Sequence, residues 1–367
     1  MIVHATMSAI SRRNVPLVLA ALVLLASCTT APVKTTAPVN TSTNVKTPTT
    51  VPEKKVEPSQ DISALSMLIA RQERIYRVAA PLMVKNAPLC RSFARPLLGF
   101  TAKNLYSYPA ELAPAAESAL KLDDRLRVMQ VLDGSGAMRA GVRPGDILQS
   151  IQEQVLPLGA QAESEAARLL APLIKNATDI SIVVLRRDQP VRLTITLTAA
   201  CAFSMEIGHA PQVSAYADGR RIMITRGMLD FLSADEELAV ILAREMAHNV
   251  LQHTAAQQMT ATVASMIDAL LPLQPDAAAL ASRGGLRPMS AKADQEADRL
   301  AMYLLARAGY DPAAAERTMA KLAQSYPASL SNTYTALHPW TSERRQSMQT
   351  ALSEIRQKQT SKNPLLP

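Results

Sequence analysis

The stretch Glu237-Leu238-Ala239-Val240-Ile241-Leu242-Ala243-Arg244-Glu245-Met246-Ala247-His248-Asn249-Val250-Leu251-Gln252-His253 reads as one helix. Ser233 stands before it with Glu236 three positions on, the spacing at which a hydroxyl and a carboxylate satisfy each other's free backbone N–H groups. Asp235, Glu236 and Glu237 place negative charge on the first turn, where the helix dipole favours it. Arg244 and His248 are four residues apart, so their side chains share one face, with Glu245 beside them.

A helix of the His-Glu-x-x-His kind binds zinc through two imidazoles one turn apart, and the glutamate polarises the metal-bound water. Here the first of those positions is Arg244, whose guanidinium stays protonated and has no lone pair to give a metal. Glu245 and His248 stand where the motif needs them. Without a metal, water keeps a pKa near about 16, and Glu245 is a carboxylate in need of a partner. His253 follows His248 by five residues, about 140° round an unbroken helix, so it cannot take over as a ligand. His209 has no spacing that ties it to the site.

The flanks extend the pattern. Ala215 to Leu229 reads as strand, turn at Asp218-Gly219, strand and short helix. The segment Met259 to Leu273 reads as a core helix or a flap over a cleft, and Gly284-Gly285 as a loop before the helix that carries Asp294. That helix ends at Gly309, with Asp311 and Pro312 opening the next.

The chain has 367 residues, 48% of them hydrophobic, which is enough for two folded domains plus tails and excludes a disordered protein. Its formal charge of +8 suits an anionic membrane surface as readily as nucleic acid, but no basic motif with interleaved aromatics is present, so no nucleic-acid partner is expected.

Arg12 and Arg13 precede an apolar run from Val15 to Ala26, the form of an export signal. Leu25-Ala26-Ser27-Cys28 resembles a bacterial lipobox, which makes Cys28 the lipidated first residue of the mature chain; the alternatives are an uncleaved anchor and an ordinary signal peptide. Thr29 after the cysteine resembles an outer-membrane address, and the expected location is the cell envelope, lipid-anchored and facing the periplasm. Residues 1–27 are then the signal peptide, and residues 28–60, rich in Thr, Pro, Val and Lys, a tether without large apolar side chains. In an oxidising compartment Cys90 and Cys201 are left either as a disulfide or as two buried free thiols.

Residues 61–95 open the folded part with a helical stripe of Ile62, Leu65, Leu68, Ile69, Ile75 and Val78. Residues 96–199 resemble a PDZ module of bacterial envelope proteases, through Leu98-Gly99-Phe100 and the run Ser135-Gly136-Ala137-Met138-Arg139-Ala140-Gly141-Val142-Arg143-Pro144-Gly145-Asp146-Ile147-Leu148. The resemblance implies binding of C-terminal peptides by strand addition, with the amides of Leu98, Gly99 and Phe100 holding the carboxylate. A module that only braces its neighbour is the alternative.

Residues 200–357 follow in order Ala215-x-Ala217-Asp218-Gly219, Ile222-x-Ile224-Thr225-x-Gly227-Met228, Glu237-Leu238-Ala239, the helix with Glu245 and His248, Asp294-Gln295-Glu296-Ala297-Asp298, Ala308-Gly309-Tyr310-Asp311-Pro312 and His338-Pro339 with Arg344. This order resembles the HtpX/BepA-like gluzincin metallopeptidases. The resemblance implies an α+β chain: a zincin-like, mostly helical metallopeptidase domain with a small sheet, interrupted by the PDZ-like module and ended by a tail at 358–367. It implies His248 as a metal ligand, Glu245 as general base, His338 and Arg344 as catalytic groups near an oxyanion, and Asp298 as the residue orienting His248. Asp294 takes the place of a glutamate ligand and is one methylene shorter. Arg244 and Asp294, each in a ligand position, are expected to pair with one another across two helices. The implied function is a zinc metalloendopeptidase acting on extended or misfolded envelope polypeptides with an impaired zinc site; the cofactor is zinc if the site is active, otherwise none. The alternative is a binding protein that holds unfolded clients or C-terminal peptides without cleavage.

Overall fold

The structure, a computed structural model, describes residues 58–253, 289–327 and 333–367, all within the compact unit Lys55–Pro367. Cys28, the tether to residue 57, the segment Met259 to Leu273 and Gly284-Gly285 lie outside the described residues. Helix α1 (Pro58–Lys85) opens the fold and is followed by the ribbon strand β1 (Ala94–Leu97). Next come β2 (Phe100–Lys103), α2 (Ala113–Leu120), β3 (Arg127–Val131), α3 (Gly136–Ala140), β4 (Ile147–Ile151), β5 (Gln154–Val155), α4 (Ala162–Asn176), β6 (Asp179–Arg186) and β7 (Gln189–Thr196). The chain returns through β8 (Thr198–Cys201), β9 (Ser204–Gly208), β10 (Ala215–Ala217), β11 (Arg221–Thr225), α5 (Arg226–Phe231) and α6 (Asp235–Val250). The last described elements are α7 (Ala291–Ala308), α8 (Ala314–Ser325), α9 (Thr333–Leu337) and α10 (Ser342–Thr360). Among the described residues the strand pairings are antiparallel except that of β9 with β11, and the long helices after β11 follow one another without strands between them, the mixed helix and sheet of an α+β chain.

The inserted module has its own sheet, in the order β2-β3-β4-β6-β7 with β5 on β4, antiparallel throughout. Its core of Val128, Leu148, Ile151, Ile180, Ile182, Val184 and Ile195 is separate from that of the helical part. Gly141 and Gly145 both adopt positive φ, 83° and 90°, which makes them suited to the turns on either side of Val142. The β6–β7 turn is tighter than the sequence suggests. Arg187 and Asp188 both turn with positive φ, and Pro190 is already paired with Leu185 in β7, the outer strand of the sheet, where proline is tolerated.

Where the chain enters and leaves the module, β1 and β8 pair antiparallel with Ala94 opposite Cys201. A disulfide between Cys90 and Cys201 fastens this neck and closes a loop of sequence separation 111. Such a loop confines the unfolded chain strongly, so the double substitution Cys90→Ser with Cys201→Ser is expected to lower unfolding free energy by roughly 2–5 kcal/mol. Urea unfolding would show it; a loss below 1 kcal/mol, roughly, would mean that β1–β8 pairing and packing hold the neck without the bond.

The helical part is built round α6. Every residue from Leu238 to Val250 is buried, so this helix is central, not an amphipathic surface helix. It packs against α1, α7 and α8 and against β10 of the sheet β10-β11-β9. Its first turn is held by α1: Arg74 and Arg77 both donate to Asp235, and Arg74 also donates to the carbonyl of Ala234. The cap is displaced by one residue from the sequence expectation. The N-cap is Ala234, whose N–H donates to Glu237, so Ser233 and Glu236 do not form the box. At its far end, Asn249 accepts from Gly219 N–H and donates to Arg221 O, fixing α6 to the β10–β11 turn.

Candidate functional site

Three helical pairs, each spaced by four residues, converge at one place. Arg244 and His248 come from α6, Asp294 and Asp298 from α7, Tyr334 and His338 from α9 and the residue after it. Glu245 adds a carboxylate beside Arg244, and Arg344 enters from the first turn of α10. All eight side chains are buried. The i, i+4 spacing stacks each pair on one face, so the packing of α7 on α6 brings four of these positions together, and α9 and the residue after it add the other two to one polar cluster inside an apolar core.

Arg244 is its centre. Its Nε donates to Asp298 Oδ1 at 2.6 Å, Nη1 to the Tyr334 hydroxyl at 2.6 Å and Nη2 to Asp294 Oδ1 at 2.8 Å. The guanidinium therefore does pair with Asp294, but its fork is shared between two carboxylates and a phenol. Tyr334 passes the contact on, donating to Glu245 Oε1 at 3.2 Å. Nη2 also lies 3.4 Å from His248 Nε2 and 3.4 Å from His338 Nδ1.

Asp298 does not orient His248. Its Oδ1 receives Arg244 Nε and Arg344 Nη2, at 2.9 Å for the latter, and Oδ2 receives Arg344 Nε at 2.7 Å. It is the anion between two arginines. The remaining Arg344 nitrogen donates to the carbonyls of His338 and Pro339 at 3.0 and 2.9 Å, so Arg344 fixes the chain around His338 instead of offering donors to an oxyanion. His338 Nδ1 is 2.7 Å from Asp294 Oδ1. A carboxylate only accepts, so that nitrogen carries the proton.

His248 is oriented by His253. Helix α6 stops at Val250, Gln252 turns the chain with φ 58°, and His253 folds back to bring its Nδ1 within 3.1 Å of His248 Nδ1. The 140° extrapolation along a helix fails because the helix has ended. With His248 Nε2 facing the Arg244 donor, its Nδ1–H donates to His253, and His253 Nε2–H donates to Glu296 Oε2 at 3.3 Å. His209 is exposed and outside this group.

Burial opposes every charge here, and the neighbours decide which charges persist. For Arg244 burial alone would lower the value, but Tyr334, Asp298, Asp294 and Glu245 outweigh it and hold the guanidinium well above its ordinary range. For Asp294 burial would raise the value, yet His338 and Arg244 pull it far below the usual carboxylate range. His248 is pushed well below the ordinary imidazole value by burial, so it is neutral. Burial raises Glu245 against the pull of His338 and Arg244, and raises Tyr334 likewise.

Can these residues hold a metal? His248, Asp294 and His338 offer one ligand atom each, all within 4.8 Å of one another, a candidate metal-binding triad. Two facts stand against it as the chain is built. The space among the three donors is taken by Arg244 Nη2, which touches all of them. Two carboxylates, Asp294 and Asp298, already face two guanidiniums, so a dication would add uncompensated charge to a buried cluster. The residues do not fit zinc while Arg244 occupies the triangle.

In the module, Leu98, Gly99 and Phe100 form the turn into β2, the first strand of the sheet order. Gly99 has φ 92°, and a Cβ there would meet the Ser135 side chain at 2.3 Å. Its carbonyl receives Leu132 N–H and the Ser135 hydroxyl, and the Leu98 carbonyl receives Ala137 N–H, so the loop is anchored through its carbonyls. Tyr334, Glu296 and Asn249 were given no role by sequence, and His253 was weighed only as a ligand; the four-residue spacing of Tyr334 to His338 was the one local signal for any of the first three.

Comparison with known proteins gives relatives for part of the chain. It is 28% identical over 159 residues to the mitochondrial metalloendopeptidase OMA1 of Arabidopsis thaliana, covering 42% of this chain and 32% of that protein. It is 31% identical over 103 residues to the OMA1 of Schizosaccharomyces pombe, covering 27% of this chain and 31% of the relative. The chain thus spans about a third of the length of these curated relatives. Among solved structures, the HtrA-type protease AlgW with a decapeptide is 27% identical, with 29% of this chain and 30% of that chain covered and a TM-score of 0.22. The HtrA3 PDZ domain bound to a phage-derived ligand is 15% identical, with 29% and 88% covered and a TM-score of 0.22; neither likeness is close enough to argue from. The stretch that holds the whole buried cluster, residues 197–352, matches the family model of peptidase family M48, whose members are zinc-dependent peptidases.

Proposed function

We propose that this chain is an envelope lipoprotein of metalloendopeptidase type that acts on extended or misfolded polypeptides, with a zinc site impaired by Arg244 and Asp294. The similarity of residues 197–352 to peptidase family M48 supports the peptidase part. The export signal and lipobox at Cys28 support the envelope and lipid anchor, at the outer membrane facing the periplasm, and a Cys90–Cys201 disulfide suits an oxidising compartment. For the module, the carbonyl-anchored turn at Leu98, Gly99 and Phe100 supports a PDZ-like role, taking C-terminal peptides beside β2.

One observation favours a second reading, in which polypeptides are held without cleavage: Arg244 Nη2 lies 2.8 Å from Asp294 and 3.4 Å from both His248 and His338, where a metal would have to sit. Glu245 then has no metal-bound water to polarise and serves the Tyr334 hydroxyl instead. Incubation with unfolded casein, with and without a chelator and beside Glu245→Gln, separates the two. Casein bound and intact in every arm is the result expected of the second reading. Chelator-sensitive cleavage that disappears in Glu245→Gln removes the second reading and shows that the site works in spite of Arg244.

A further inference from the structure

The three nitrogens of the Arg244 guanidinium each have their own acceptor: Asp298 Oδ1 for Nε, the Tyr334 hydroxyl for Nη1 and Asp294 Oδ1 for Nη2. The acceptors come from α7 and α9, and none is on the helix that carries Arg244. A planar trigonal cation is what such a set recognises. A metal ion would draw instead on His248, Asp294 and His338, whose donors surround only one corner of the guanidinium, at Nη2. Arg344 holds Asp298 by a two-point fork of its own, independent of the Arg244 contact.

We infer that the Arg244 guanidinium is a built-in cation that permanently fills this cavity, and that the cavity is a guanidinium receptor, no longer a metal site. The inference rests on the reading of the cluster as an impaired zinc site and gives the impairment a specific cause. It differs from a simple lost ligand. A lost ligand would leave a weak metal site that excess zinc could load. A cavity reshaped round a guanidinium rejects zinc and accepts the free guanidinium ion once the Arg244 side chain is removed, because Nε then becomes a third amino group pointing at the same Asp298 oxygen.

The test is chemical rescue. Arg244→Ala is expected to melt roughly 10 °C below the wild type, since two buried acids lose a partner. Guanidinium chloride at about 0.1 M is expected to raise the variant's Tm by about 3 °C, with no rise for the wild type and none for the variant in methylammonium or sodium chloride of the same ionic strength. If the variant does not fold in plain buffer, the same salts are compared by its soluble yield on refolding from urea. Stabilisation of the variant by zinc but not by guanidinium, or equally by every salt, overturns the inference. So does one tightly bound zinc per chain in the purified wild type, measured by metal analysis, where essentially none is expected. Chelator-sensitive cleavage of casein would overturn the inference as well, since a working metal would then share the cavity with Arg244; intact casein without guanidinium-specific rescue refutes the receptor alone and leaves the impaired site standing.

Discussion

Arg244→His combined with Asp294→Glu is expected to give a chain that binds about one zinc, with a Kd at or below roughly 1 μM, worth about 8 kcal/mol of binding. The first change removes the cation that touches all three candidate donors and puts an imidazole one turn before His248 on the same face of α6. The second restores the methylene by which Asp294 falls short, and ligand oxygens must come to about 2 Å of zinc. Charge follows the same direction. With one guanidinium gone, the carboxylates at 294 and 298 face Arg344 alone, and a dication finds anions that are not already matched. Arg244→His by itself leaves the short carboxylate and should bind zinc more weakly than the double variant. Both should be less stable than the wild type without metal and should regain stability with it, because binding to the folded state alone raises the unfolding free energy. Metal analysis and zinc-dependent Tm read the result. A double variant that folds but takes no zinc would mean that α6 and α7 have settled at a spacing set by the arginine, beyond the reach of restored ligands.

The sequence made two of these features legible and concealed others, for physical reasons. The pairing of Arg244 with Asp294 could be anticipated because two residues of opposite charge stand in positions that otherwise share a metal, and the structure brings them to 2.8 Å. Helix α6 was legible from its acid-rich first turn, although its cap moved from Ser233 to Ala234, since Glu237 rather than Glu236 reaches back to the free N–H. The partner of Asp298 was not legible. Spacing places Asp298 on the face of Asp294, but whether it meets His248 or Arg344 depends on where α10 crosses, and that is a tertiary fact. Tyr334 was hidden for the same reason: α9 is five residues long, and nothing local says that its hydroxyl lies between Arg244 and Glu245. The contact of His253 with His248 was hidden because helical geometry does not continue past the point where Gln252 takes up positive φ. Local pattern thus reports faces and caps; which buried charges meet is set by helix packing.

Among single substitutions in the cluster, Asp298→Ala is expected to cost the most stability, about 5 kcal/mol, comparable with the whole stability of a marginal domain. The residue is fully buried, and its two oxygens take three guanidinium donors, from Arg244 and Arg344, at 2.6, 2.7 and 2.9 Å. Truncation leaves both cations in an apolar core with Asp294 as the one carboxylate set between them, and an unpaired buried charge costs far more than the pair had gained. The loss should therefore depend on the arginines remaining. Asp298→Ala combined with Arg344→Met removes one charge of each sign, and the double variant should be more stable than Asp298→Ala alone, a sign of coupling that simple loss of side-chain packing cannot give. Asp298→Asn keeps an acceptor oxygen for Arg244 but loses the charge and one of the two acceptors, so it should fall between. Urea unfolding of the three variants measures the series. If Asp298→Asn matches the wild type, Asp298 contributes shape and hydrogen bonding only. The stability of the core would then not depend on the charge balance between two arginines and two aspartates, and a dication would be kept out beside Arg244 by filled space alone, not by charge.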